Sequence, residues 1–414
     1  MFKNIIKTLA LVLFMLMLVT ACTPVKGQIY SRDSSISWPK APDEIDSEFR
    51  SSLIDFAWDL FKISSKNEGN ILISPASVYL ALGMTCNGAD GETRQAMAAA
   101  LKAADISIEE FNRACRDYIS ILRVMGDKTE LSVANSIWYK NGFPVSDDFL
   151  QINADYFDAH VQSLDFNNPK APETINNWVK EKTNNTIDNI INEIEKNVIM
   201  YLVNAVYFNS KWKVPFDPQL TRRRNFNSPG GIQNPHFMYR HGKMDYFNVN
   251  GIRGVILPYD DGRFKFFAML PENNTEIRSF IQELDGDKIY DCLTSSENQE
   301  VDLYLPKFKT EFEDELKDEL SSMGMEIAFD PYKADFSLMT NKSMESGISI
   351  SRVIHKTFCR VDEEGTEASA LTAMEMPVSA PIEVIELVFD RPFVYGIIDE
   401  VTGAPLFLGI MENL

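Results

Sequence analysis

The chain has 414 residues, of which 45% are hydrophobic and 24% charged, so it holds one large domain or two medium ones around a sizeable core. A formal net charge of −20 argues against nucleic acid, heparin-like polyanions or an anionic membrane surface as partners. The one basic cluster, Arg222-Arg223-Arg224, reads as a solvated loop within that field.

The first 22 residues read as a leader rather than as part of a fold. Lys3 and Lys7 precede an uncharged apolar run from Leu9 to Val19, which is too short to span a bilayer. Val19-Thr20-Ala21-Cys22 resembles the lipobox of bacterial lipoproteins, which implies lipid attachment at Cys22; plain cleavage after Ala21 is the alternative. Residues 23–43 are polar, carry Pro24, Pro39 and Pro42, and read as a flexible tether. The expectation is an exported cell-envelope lipoprotein, extracellular or on the outer face of a membrane, that meets the membrane only through its anchor. No linker, repeat or low-complexity block interrupts residues 44–414, which read as a single domain.

Within that domain the elements follow in order. Phe49, Leu53, Phe56, Ala57 and Leu60 recur at helical spacing. Asn70 to Ile73 reads as a short apolar strand running into a helix, with Ser74 at the cap and Pro75 in the first turn. Val133 to Tyr139 reads as a strand, and Ile175 to Thr183 as a helix with Pro172 near its start. Leu202 to Phe208 is nearly all apolar, as a strand buried on both faces should be. Val394–Ile398 and Leu406–Ile410 form a hairpin around Thr402-Gly403. Cys86, Cys115, Cys292 and Cys359 are not a disulfide framework in a chain this long, and no Cys or His spacing suits zinc. They are expected as buried free thiols, with one bridge left open, and no cofactor is expected.

The most informative stretch is Val361-Asp362-Glu363-Glu364-Gly365-Thr366-Glu367-Ala368-Ser369-Ala370-Leu371-Thr372. Read with period 2, Thr366, Ala368, Ala370 and Thr372 share one small, uncharged face, while Glu367, Leu371 and Glu375 lie opposite. A loop destined to become a buried strand needs such a face. Ala and Glu also favour a surface helix. Gly365 and Thr366, with Met376-Pro377 and Ala380-Pro381 beyond, argue against it.

This stretch resembles the reactive-centre-loop hinge of the serpins, protease inhibitors that insert the cleaved loop into their own sheet. Matches extend over about 370 residues and include Asn70 to Ser77, Asn204 to Phe208 with Trp212 and Phe216, Leu303 to Phe308, and Arg391-Pro392-Phe393. The resemblance implies an α+β serpin fold: a large, mostly antiparallel central sheet, two further sheets, eight or nine helices and an exposed reactive-centre loop. It implies a hinge at Glu364, Gly365, Thr366, Glu367, Ala368, Ser369 and Ala370, with Thr366 the first side chain to be buried when the loop inserts. It implies a shutter at Ser74, Ser77, Asn204 and His355, expected to be a buried polar network, and a breach aromatic at Trp212. Helix cap, strand polar group and satisfied core histidine are the plainer readings of those shutter residues.

The function implied is suicide inhibition of serine proteases, and of papain-like cysteine proteases within the same acyl-enzyme chemistry. The alternative is a non-inhibitory member acting as a surface binding or chaperone-like protein. Counting fifteen residues from Gly365, as the family does, places the scissile bond at Ser379–Ala380, with Val378–Ser379 as rival. The loop runs about two residues longer than in well-known members, and Ser369 and Leu371 depart from the usual small residues. No Lys or Arg lies between Arg360 and Arg391, so the target is expected to be elastase-like or subtilisin-like rather than trypsin-like. A monomer without a heparin-like cofactor is expected. An enzyme is not, since no Gly-x-Ser-x-Gly elbow, His-Glu-x-x-His or phosphate loop occurs.

Overall fold

Asp46 fixes where the first helix begins. Its Oδ1 accepts the backbone N–H of Glu48 and Phe49, each at 3.0 Å, satisfying two donors that a helix start leaves open. The helix α1 (Ser47–Ser64) then buries Phe49, Leu53, Phe56, Ala57 and Leu60 along the expected stripe. The computed structural model describes residues 29–30, 38–124, 129–196, 198–272, 275–284, 286–341, 347–366 and 384–414. The leader with Cys22 lies outside the described residues.

Strand β2 (Ile71–Ile73) feeds α2 (Pro75–Cys86), whose Tyr79 ring meets Phe49 of α1 edge-on at 5.6 Å. Ser74 stands at the N-cap of α2 with Pro75 in the first turn, yet its hydroxyl caps nothing and has no partner among the described residues. The expected cap is therefore a position without the hydrogen bond. Further helices are α3 (Gly91–Ala100), α4 (Ile108–Leu122), α5 (Asp147–Phe157), α6 (Ala171–Lys182), α7 (Ile277–Glu283) and α8 (Gly286–Thr294). Lys317–Leu320, Ser321–Met325 and Glu326–Phe329 follow one another, with Gly324 at φ 101° breaking the run; taken together as α9 they bring the helices among the described residues to nine.

The strands form an α+β architecture, as expected. One sheet runs β1 (Ile29–Tyr30), β4 (His160–Leu164), β3 (Thr129–Lys140), β5 (Met200–Lys211) and β15 (Gly365–Thr366). β3 and β5 pair antiparallel from Thr129↔Ser210 to Tyr139↔Met200, and the β3–β4 pair is parallel. The pair β13 (Phe308–Glu315) and β14 (Ile354–Val361) stands beside it, and among the described residues no ladder joins β14 to β5. The central sheet is thus in two parts. The two further sheets expected are instead one nine-stranded sheet: eight strands follow one continuous path, and β6 (Arg222–Arg223) is attached to β9 (His236–Val249) off that path. β9 makes this continuity: it pairs with β12 (Glu297–Pro306) along most of its length and with β10 (Ile252–Pro258) at its end. Beyond β10 lie β11 (Phe264–Leu270), then the C-terminal hairpin of β17 (Phe393–Asp399) and β18 (Pro405–Met411). A small hairpin, β7 (Phe226–Ser228) with β8 (Gly231–Gln233), and β16 (Ile385–Val388) complete the set.

Part of the stretch read as a free tether is docked on the domain. Ile29 and Tyr30 pair with Gln162 and Val161 of β4, and the Trp38 indole N–H donates to Ser120 Oγ at 2.7 Å. Arg123 lies over the Trp38 ring at 4.5 Å. A cation–π contact and one ladder step are enough to seat a short segment.

Cys86, Cys115, Cys292 and Cys359 are all free and buried. Burial pushes the thiols of Cys86 and Cys292 up to about 11, that of Cys359 to about 12, and that of Cys115 well above its ordinary value. Thiolate, the reactive form, is therefore scarce. At pH 8 the folded protein is expected to leave all four unmodified by an aromatic disulfide reagent over minutes, and the same four to react at once in denaturant. Peptide mapping checks this, and fast native labelling at any of the four contradicts it.

Candidate functional site

At the end of β14 the chain enters a tight turn, Asp362-Glu363-Glu364, and then lies down on β5. Asp362 N–H donates to Gly365 O at 3.1 Å and closes the turn. Three further donors grip it from the segment after β5. Trp212 N–H reaches Glu364 O at 2.9 Å, Phe216 N–H reaches Glu363 O at 2.8 Å, and the Trp212 indole N–H reaches Asp362 O at 2.8 Å. Glu363 also takes Lys307 Nζ at 2.6 Å and Thr221 Oγ1 at 2.9 Å. Burial opposes its charge, but Lys307 and these hydrogen bonds prevail and hold its carboxyl below the usual range.

Gly365 and Thr366 form β15, antiparallel to β5 with Gly365↔Lys211 and Thr366↔Ser210. Gly365 has φ 151°, and a Cβ there would stand 2.2 Å from Ser210 O and 2.7 Å from Lys211 Cα. Backbone meets backbone, so only glycine fits. Thr366 is already buried, at 4% exposure, and its Oγ1 shares a 2.9 Å hydrogen bond with Tyr259 OH. The expectation that Thr366 is first buried when the loop inserts is corrected: Thr366 is buried and paired with β5 in this structure. Tyr259 in turn stacks on Trp212, ring centroids 4.8 Å apart and planes 9° apart. Trp212, expected at a breach, thus packs in the core and grips the turn before β15 at once. Of the other hinge residues, Glu364 is described, while Glu367, Ala368, Ser369 and Ala370 lie outside the described residues, as do Val378, Ser379 and Ala380.

Below the hinge, a cavity of about 120 Å³ separates the lower halves of β5 and β14. Ser77 of α2, Leu202 and Asn204 of β5, and His355 of β14 line it. This explains why the lower part of β5 is only half-buried, against the expectation of burial on both faces. Of the four residues expected at a shutter, Ser77, Asn204 and His355 line this cavity and Ser74 is bonded to His355, but the four do not form one network. Ser74 N–H donates to His355 Nε2 at 3.0 Å, which places the imidazole proton on Nδ1. Asn204 Nδ2 donates instead to Asn135 Oδ1 at 2.6 Å on β3, a partner the sequence did not suggest. Asn204 Oδ1 and Ser74 Oγ have no partner among the described residues. Burial lowers the His355 pKa from 6.5 to about 4.

The far end of the loop returns as β16, laid parallel on β12 from Val301↔Ile385 to Tyr304↔Val388. The family model for serpin (serine protease inhibitor) matches residues 51–414. An uncharacterised serpin-like protein of Thermococcus kodakarensis is 30% identical over 363 residues, covering 86% of this chain and 84% of its own. Neuroserpin of Homo sapiens is 30% identical over 353 residues, covering 82% and 85%. Among solved structures, the thermophilic serpin tengpin is 38% identical. Its native state superposes with a TM-score of 0.85 over 94% of this chain and 100% of that one, and its latent state with 0.79 over 90% and 99%.

His355 sets a pH dependence. The folded chain keeps the ring neutral down to about pH 4, whereas an unfolded His binds its proton near 6.5. The folded state is therefore stabilised fully above pH 6.5, and that contribution is lost as pH falls from 6.5 towards 4, by about 3 kcal/mol in all. Thermal unfolding across pH 7 to 4 should show a steeper fall for the parent chain than for His355→Gln; identical slopes contradict the assignment.

Proposed function

Because the chain belongs to the serpin family, we propose that it is a suicide-substrate inhibitor of serine proteases that traps the acyl-enzyme by inserting its cleaved loop next to β5. The observation that carries this is the seated hinge: Gly365 and Thr366 already occupy the first rungs of a strand on β5. An uncharged, buried Thr366 lets that strand lengthen without desolvating a charge. About a dozen inserted residues at ~1 kcal/mol net per hydrogen bond would supply on the order of 10 kcal/mol, comparable to a whole domain's stability. The protease contributes the nucleophile, and this chain contributes the substrate loop and the sheet.

The finer points of the reading rest on the sequence. The absence of Lys and Arg between Arg360 and Arg391 supports an elastase-like or subtilisin-like target, and the count from Gly365 supports a cut at Ser379–Ala380 with Val378–Ser379 as rival. The run up to Cys22 supports an exported, lipid-anchored protein at the outer face of a membrane. The structure of thyroxine-binding globulin in complex with thyroxine, 25% identical with a TM-score of 0.78, shows that the same fold also carries ligands. A surface binding protein is therefore the second reading.

Incubation with elastase-like and subtilisin-like proteases should give a complex stable to boiling in detergent and a cleaved chain with a strongly raised melting temperature. Cleavage without either refutes the inhibitory reading. In the trapped complex, a released fragment beginning at Ala380 supports the count, one beginning at Ser379 shifts it by one, and one starting outside 376–382 refutes it.

Thr366→Arg places a charge against Tyr259 and Ser210, so it should cost several kcal/mol in the intact chain and turn the inhibitor into a substrate. Thr366→Ser, which keeps the hydroxyl and adds no bulk or charge, should retain trapping. Normal trapping by the Arg variant sinks the assigned role of Thr366.

A further inference from the structure

The segment between Trp212 and Arg224 does more than grip the hinge. Residues 211–224 carry five cations, Lys211, Lys213, Arg222, Arg223 and Arg224, and the single carboxylate of Asp217, in a chain of net charge −20. Asp217 is engaged locally, its Oδ1 taking the Gln219 N–H at 2.8 Å. Arg224 is folded over the Tyr304 ring at 3.8 Å. Arg222 and Arg223 differ. Both are exposed, and neither is paired with a carboxylate among the described residues. Each hands one Nη1 hydrogen to a backbone carbonyl, of Thr221 and Asn234, both at 2.8 Å, which holds the guanidinium heads in place without cancelling their charge. Two large aliphatics stand exposed in the same segment, Val214 at 49% and Leu220 at 44%. Exposed aliphatics bordered by oriented, unneutralised arginines are the composition of a recognition surface rather than of a merely solvated loop.

Its position gives the partner. Thr221, the residue before Arg222, is bonded to Glu363, and Phe216 to the Glu363 carbonyl, three residues before Thr366. The loop comes back at β16, and the strand order β16-β12-β9 with β6 on β9 puts Arg222 and Arg223 three strand spacings, roughly 14 Å, across the sheet from β16, and Arg222 five register positions along β9 from the level of Ile385. A protease engaging that loop would cover about 800 Å² of its partner, an area that can reach the segment bonded to Glu363. Its body would face β6.

We propose that Lys213, Val214, Leu220, Arg222 and Arg223 form a second contact for the target protease, selective for enzymes with an acidic surface beside the active-site cleft. This rests on the inhibitory reading above. The contact acts before acylation: it raises the encounter rate of a negatively charged protease and orients its cleft over the loop, an effect that salt weakens. It also explains a cationic patch on an otherwise acidic protein, whose overall field would repel such a protease.

The test compares Arg222→Glu/Arg223→Glu with the parent chain against two proteases of elastase-like or subtilisin-like specificity, one of net negative and one of net positive charge. Association rate constants are read at about 20 mM and about 500 mM salt, spanning strong to weak screening. The double variant should trap the acidic protease about tenfold or more slowly at low salt, with a flattened salt dependence, and should trap the basic protease at least as fast as the parent does. Arg222→Gln/Arg223→Gln should fall between, and melting temperatures of the intact and cleaved chains control for folding. Equal slowing with both proteases, or no slowing with the acidic one, overturns the inference while leaving the inhibitory reading intact. A parent chain that forms no covalent complex with either protease overturns both.

Discussion

One backbone contact governs the functional half of this molecule: Gly365 lies so close to β5 that the Ser210 carbonyl would be 2.2 Å from any Cβ at that position. Side-chain-free chain at 365 lets the turn after β14 close onto β5, and only then can Thr366 reach Tyr259. Trp212 completes the assembly by donating both its backbone and indole N–H groups to the turn while stacking on Tyr259. The turn after β14, Trp212 and the edge of β5 are thus one unit.

Below that unit the sheet is differently made. β3 and β5 are joined along eleven register positions, whereas the lower edges of β5 and β14 border a cavity with Asn204 and His355 on its walls. Polar groups there are held singly, by Asn135 and by the Ser74 N–H, and not to one another across the gap. A lining that keeps its bonds within each half can part or fill without breaking a shared network, whose loss would cost more than its separate bonds. A neutral, deeply buried His355 fits the same demand, since a charged ring there would have to be paid for in desolvation.

Much of this was legible in the sequence, and the exceptions share a cause. The α1 stripe, the β17–β18 hairpin, the buried thiols and the helix after Pro172 followed from periodicity, turn chemistry and composition. That Ser77, Asn204 and His355 line one cavity, with Ser74 bonded to His355, has no periodicity or turn signal in the sequence; only the family resemblance pointed to these four together. What was missed depends on contacts between distant segments. The bonds from Trp212 and Phe216 end on backbone carbonyls, which have no sequence signature. The early burial of Thr366 depends on Tyr259, 107 residues away, and Asn204 found Asn135 across a ladder whose register the sequence does not state. Ser74 kept its place at the cap while its backbone N–H went to His355. Ile29–Tyr30 found the edge of β4, a pairing that two residues of an otherwise polar stretch could not announce.

The central claim is that β15 is the first piece of a strand that lengthens along β5 once the loop is cut. Amide hydrogen exchange on the intact and the loop-cleaved protein tests it most directly, because exchange reports which backbone groups are held in a ladder. The account predicts that amides of Leu202 to Ser210 on β5 and of Ile354 to Val361 on β14 become markedly more protected after cleavage, while those of β17 and β18 change little. Unchanged protection along β5 and β14 in the cleaved chain would contradict it.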